Sequence, residues 1–144
     1  MRSLGALALA ATLAAGCSKA TPANEPGDVA ERFLDLYLLE IDQKRALPMT
    51  TGVAHRRLED ELADVAGIRA SGYTAGAAKP TIFYERAMLG EDGEGGRARA
   101  VYDLTIKHAG GETRRHVLLT LTNRDDGQWK VSSFTFVDGP AQRR

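Results

Sequence analysis

Apolar residues fall along the chain in three rhythms. From Leu4 to Ala15 they are continuous, a block of Leu, Ala and Gly interrupted only by Thr12. From Val29 to Ile41 they return at helical spacing, with Val29, Phe33, Leu36, Tyr37 and Ile41 on one face and Leu34 and Leu38 beside them. So wide an apolar arc predicts a largely buried helix. It should begin at Asp28, where Asp28 and Glu31 form a capping-box pair, and run to about Leu47, because Pro48 cannot continue it. Thr50 or Thr51 is placed to cap a second helix that reaches about Val65, with Leu58, Leu62 and Val65 as its inner stripe and Gly67 as its stop. Residues 68–80, rich in Gly and Ala, read as a loop.

Beyond this loop the period becomes two. Residues 81–89, 97–108, 114–123 and 128–137 read as strands, separated by Gly-rich turns around Gly93 to Gly96, Gly110-Gly111 and Asp125-Asp126-Gly127. In the second strand Ala98, Ala100, Tyr102, Leu104 and Ile106 alternate with Arg99, Asp103, Thr105 and Lys107. In the third, Val117, Leu119 and Leu121 face inward. The fourth breaks its own parity: Trp129 and Val131 share one face, Phe134 and Phe136 the other. A β-bulge near Ser132-Ser133 would bring both pairs to the same side and bend the sheet. The first strand resists phasing, since Phe83, Glu85, Ala87 and Leu89 on one face are matched by Ile82, Tyr84 and Met88 on the other. The fold class is therefore α+β, with N-terminal helices packed on a curved four-stranded antiparallel sheet.

Length and charge narrow the picture. A chain of 144 residues suits one folded domain. Its 19 basic and 19 acidic residues cancel, which argues against a nucleic-acid binder built on a broad basic surface. A single Cys excludes an internal disulfide framework and a zinc site built mainly on thiolates. That Cys ends the N-terminal apolar block, which follows Met1-Arg2-Ser3 and is too short to span a bilayer, for which about 20 apolar residues are needed. Leu13-Ala14-Ala15-Gly16-Cys17 resembles the lipobox of bacterial lipoproteins, with Leu one step earlier than usual. The resemblance implies that residues 1–16 are a removable signal peptide and that Cys17 is acylated as the mature N-terminus. Residues 18–27, with Pro22, Asn24, Pro26 and Gly27, then form a flexible tether. Ser18 in place of Asp after the Cys points, by the same resemblance, to the outer membrane, facing the periplasm. The folded domain spans 28–138, and 139–144 are a polar tail.

The order of helices and strands, closed by Asp126-Gly127-Gln128-Trp129-Lys130-Val131, resembles small envelope lipoproteins with a nuclear transport factor 2-like, or cystatin-like, cone domain. Many of these are of unknown function. The resemblance implies a curved sheet wrapped on helices, often around a pocket. Members of this fold include isomerases, dehydratases and cyclases beside domains that only bind, so the fold alone does not choose.

Candidate chemistry is sparse. His55 reads as part of a solvated helix face, His116 as outward, and His108 as a residue of the cone's rim. No two His share a helix at metal-binding spacing, and neither a metal nor a cofactor is expected. Glu85 is the best candidate for a buried catalytic carboxylate if its face is the inner one; the alternative is an outer-face pairing with an Arg. Asp35 has an ambiguous facing, and Asp103 lies in the polar phase of its strand. No nucleophile motif is present, and no catalytic residue is assigned. Tyr37, Tyr102 and His108 are expected to line any pocket; the competing outcome is that Phe33, Tyr37, Leu104 and Phe136 fill the space. The leading expectation is a lipid-anchored, non-catalytic domain that binds a small apolar ligand or an envelope partner protein. The alternative is a pocket enzyme of isomerase or dehydratase type using Glu85 or His108.

Overall fold

A computed structural model describes residues 25–70, 79–92, 95–124 and 126–139. The expected signal peptide, Cys17 and most of the expected tether lie outside these residues. Helix α1 spans Pro26–Leu34 and continues as a π-helical turn over Asp35–Leu39. It starts two residues earlier than the capping-box pattern suggests. Pro26 stands in the first turn, where its missing N–H costs nothing, and Pro26 and Gly27 are buried. They therefore belong to the folded domain and not to the tether. Glu25 is the N-cap and Asp28 lies one turn in, so no capping box forms.

The expected single helix up to Leu47 is divided. Ile41 takes a left-handed φ of 53°, and the Asp42 N–H reaches back to the Leu36 carbonyl at 2.8 Å. Asp42 then caps the short helix α2, Gln43–Ala46, by accepting from the Arg45 N–H at 3.0 Å. A 3-10 turn over Leu47–Met49 follows, with Pro48 inside it. Helix α3 covers Gly52–Ala70 and passes through Gly67, so that glycine is not the stop. A glycine inside a helix costs only about 1 kcal/mol, which the rest of a long helix offsets.

Strands β1 Thr81–Asp92, β2 Arg97–His108, β3 Gly111–Arg124 and β4 Gln128–Asp138 form an antiparallel meander in the order β1-β2-β3-β4. The β4 bulge is where the parity break requires it: Leu121 pairs with Val131 and Thr120 with Ser133, leaving Ser132 extra. Phe134 and Val131 are both buried, with Trp129 and Phe136 half-buried against the same core. A second bulge in β1 leaves Ala87 extra between Arg86, opposite Tyr102, and Met88, opposite Val101. Cross-strand partners share a face. Tyr84, Arg86 and Leu89 therefore point inward, and Phe83, Glu85 and Met88 outward. The extended Thr50 forms a parallel bridge to Val131, and the Thr51 N–H donates to the Val131 carbonyl at 2.9 Å, which fixes the start of α3 on the edge of β4. The core lies between α1, α3 and the inner sheet face, with Phe33, Leu34, Leu58, Tyr102 and Leu104 among its buried residues. Among the described residues no helix is long and apolar enough to cross a membrane.

Candidate functional site

The inner sheet face is tied to the helices by two small polar clusters. In the first, the Tyr84 hydroxyl donates to Asp35 Oδ1 at 2.6 Å, and Arg86 Nη1 lies 3.6 Å from Glu31 Oε1. Tyr102 stands beside them, its ring edge-on to Tyr84 at 5.7 Å, with its hydroxyl buried and making no hydrogen bond. Burial, then the Asp35 carboxylate, pushes the Tyr84 phenol far above its ordinary range. Burial, then Glu31, pushes Tyr102 up to about 12, against a smaller opposing pull from Arg86. In the second cluster the Tyr37 hydroxyl donates to Glu61 at 3.0 Å, and Arg57 binds both Glu61 and the Phe134 carbonyl. Burial, then Glu61, raises Tyr37 to about 12. A general acid or base is tuned toward the working pH. These tyrosines are tuned away from it, and the hydroxyls of Tyr84 and Tyr37 fasten α1 to the sheet and to α3.

The outer sheet face is different. Phe83 and Met88 are about half exposed, at 53% and 50%, and Leu118 and Val137 both at 44%. Met88, Val101 and Leu118 are successive partners across β1, β2 and β3, so they form one apolar row. On one side of this row lies a concavity of about 400 Å³ bordered by Glu85, Asp103, Arg114, Arg115 and His116. Within it His116 Nδ1 and Asp103 Oδ1 are 2.6 Å apart. On the other side a concavity of about 470 Å³ is lined by Arg97, Arg99, Thr120, Thr122, Ser132, Ser133 and the start of α3.

No family model and no curated protein matches this sequence. Among solved structures, a variant of the designed protein Rd1NTF2_05 is similar, with a TM-score of 0.51 and 16% identity over 78% of this chain and 99% of the designed one. Identity this low speaks for the fold and not for activity. The chain has a nuclear transport factor 2-like fold.

Within this cone the expected pocket residues are separated. Tyr102 retains no accessible surface, so it borders no water-sized cavity. Tyr37 is half-buried and stacked between Phe33 at 5.5 Å and Phe136 at 6.2 Å. His108 lies six residues along β2 from Tyr102, about 20 Å at strand rise. There its ring is held in the exposed β2–β3 turn by Thr113 at 3.3 Å and the Gly110 N–H at 3.2 Å. The packed outcome fits better: Phe33 and Leu104 are buried, with Tyr37 and Phe136 closing over them. Glu85 sits opposite Asp103 on the outer face, so it is not a buried inner carboxylate. His116 does face outward, and His55 contacts Thr50 and Glu59 at the start of α3. Asp35 turns out to face Tyr84. Among the described residues no group of three His, Cys, Asp or Glu is arranged to hold a metal ion. Arg97 and Arg99 are not among the expected site residues. Their signal was available in the outward phase of β2, but only the register shows which hydroxyls stand beside them.

Proposed function

We propose that this protein is a lipid-anchored, non-catalytic binding domain of the bacterial cell envelope, held through acylated Cys17 and offering its outer sheet face to a partner protein. The carrying observation is where apolar surface remains accessible. Phe33, Tyr102, Leu104 and Leu119 inside the cone have almost none, whereas Phe83, Met88, Leu118 and Val137 outside it are 44–53% exposed. Large apolar side chains clustered on one face mark an interaction surface. The packing of Tyr102 favours a partner protein over a small apolar ligand in the cone. The enzymatic alternative loses support, because Glu85 occupies the outer face and His108 a hairpin turn, and His108 is not among the described residues that border the concavity beside Glu85. The acyl chains would supply membrane affinity at about 0.8 kcal/mol per buried methylene.

Two measurements test the two halves of this reading. The intact mass of the chain taken from membranes should show a mature N-terminal Cys17 carrying acyl groups, and Cys17→Ser should leave the full precursor. A free thiol at Cys17 would remove the anchor. A photo-crosslinking residue at Leu118 or Met88 should give one discrete adduct in cells, while the same residue at the exposed Glu59 of α3 gives none. Equal labelling at all three positions would remove the partner face.

A further inference from the structure

Most arginines of the described chain have a carboxylate. Arg32 and Arg45 pair with Glu40, Arg57 with Glu61, Arg86 with Glu31, Arg114 with Glu112 and Arg115 with Asp138. Among those left without an ion pair in the described residues, Arg97 and Arg99 are the two that stand together. Two residues apart on β2, they project from the same outward face, about 7 Å apart along the strand. Asp92 is opposite Arg97 in the ladder, yet it makes no ion pair with it and lies outside the concavity. The register sets Thr122 beside Arg97 and Thr120 beside Arg99, and Ser133 beside Thr120. Among the described residues the floor is thus two guanidiniums and three hydroxyls, and no carboxylate of these residues lines the concavity.

We propose that this concavity binds the phosphate group of a small hydroxylated molecule, bracketed by Arg97 and Arg99. Adjacent guanidiniums without counter-charges repel each other, and a tetrahedral oxyanion between them removes that repulsion. The planar fork of Arg offers paired N–H donors to phosphate oxygens. Hydroxyls on Thr120, Thr122 and Ser133 can donate to the remaining oxygens or to ligand hydroxyls. The volume, about 470 Å³, exceeds what bare phosphate needs and falls in the range of small-molecule sites, about 300–1,000 Å³. The first residues of α3 form a side wall whose helix dipole has the same sign as the arginines. This site is separate from the apolar row proposed for a partner protein, and either can fail without the other.

The test uses the full-length chain in non-ionic detergent micelles at constant ionic strength. Inorganic phosphate and glycerol 1-phosphate are titrated while the backbone amide resonances of Thr120, Thr122 and Ser133 are followed. Saturable shifts are expected with a dissociation constant of about 1 mM or below, tighter for glycerol phosphate. Arg97→Gln with Arg99→Gln should weaken binding at least about tenfold, since each charge-assisted contact is worth roughly that factor. Arg114→Gln, at the other end of the face, should leave binding unchanged. Unfolding midpoints of all variants should match the parent. Micelles doped with phosphatidylglycerol distinguish the source. If the doped lipid shifts the same amides without added phosphate, the phosphate is a lipid headgroup's; if only the free esters do so, it is a soluble ligand's. Absence of saturable shifts under either condition, or full binding by the double Gln variant, overturns the proposal.

Discussion

The two faces of strand β2 divide the labour of the domain. Ala98, Ala100, Tyr102 and Leu104 point inward and are buried, while Arg97, Arg99 and Asp103 between them are exposed. One strand therefore supplies both fully buried side chains and, in Arg97 and Arg99, exposed charges without an ion pair among the described residues. Inside, side chains are fixed by neighbours on three sides: Tyr102 by Arg86 and Tyr84 of β1 and by Val117 of β3, under α1. Outside, Leu118 and Met88 are about half exposed, with Val101 partly exposed between them. Stability should reside on the first face and recognition on the second.

The largest expected effect tests that division directly. Leu104→Ala removes a buried side chain and should cost about 2–5 kcal/mol of unfolding free energy. Leu118→Ala, fourteen positions on but on the outer face, should change it by no more than about 0.5 kcal/mol. Urea unfolding of both variants is the measurement. Similar losses in the two would mean that the outer row is also packed, and the partner surface would have to be abandoned.

A smaller effect is expected where the faces are joined by backbone. Gly96, in the β1–β2 hairpin, has φ of 57°, and a Cβ there would stand 2.5 Å from the Asn123 carbonyl oxygen. The Asn123 N–H donates to the Gly96 carbonyl at 2.6 Å, so the contact is fixed and cannot relax outward. Gly96→Ala should cost about 1–3 kcal/mol through the left-handed conformation, with the clash added. Gly90→Ala meets no atom within 4 Å and serves as the neutral control. Equal midpoints for the two variants would mean that the hairpin, and with it the β1 register, differs from this description.

The same comparison shows how far the sequence could be read. Strand β2 was legible from end to end, because its two phases differ sharply in polarity. The β4 bulge was legible because Trp129, Val131, Phe134 and Phe136 cannot all be buried without one extra residue. Strand β1 was not, since both its phases are apolar and the bulge at Ala87 exchanges them midway. The break at Ile41 was hidden for a related reason: Leu38, Leu39 and Ile41 keep up an apolar pattern through a turn that ends the helix. The candidate sites were the least legible. The Tyr84–Asp35 contact joins residues 49 apart in the chain, and the concavity at Arg97 and Arg99 needs three strands and a helix start to be assembled first.

The smallest expected effect concerns the buried hydroxyl of Tyr102. It makes no hydrogen bond, so removing it in Tyr102→Phe leaves no partner unsatisfied, and stability near pH 7 should change by less than about 0.5 kcal/mol or rise slightly. At alkaline pH the variants should part. Tyr37 and Tyr102 are raised to about 12 in the folded chain, against an ordinary value of 10.0. Between these values the unfolded chain loses phenolic protons that the folded chain keeps. Unfolding is then favoured as pH rises, and the stability present below pH 10 is lost progressively toward 12. Each Tyr→Phe change on the inner face should make that loss shallower, Tyr102→Phe and Tyr37→Phe alike, whereas substitutions in the outer row should leave its slope unchanged. Denaturant midpoints measured at neutral pH and through the alkaline range read both effects at once. A loss above about 1 kcal/mol for Tyr102→Phe at neutral pH would show that the hydroxyl has a bound partner after all, and the interior would then have to be redrawn as a site.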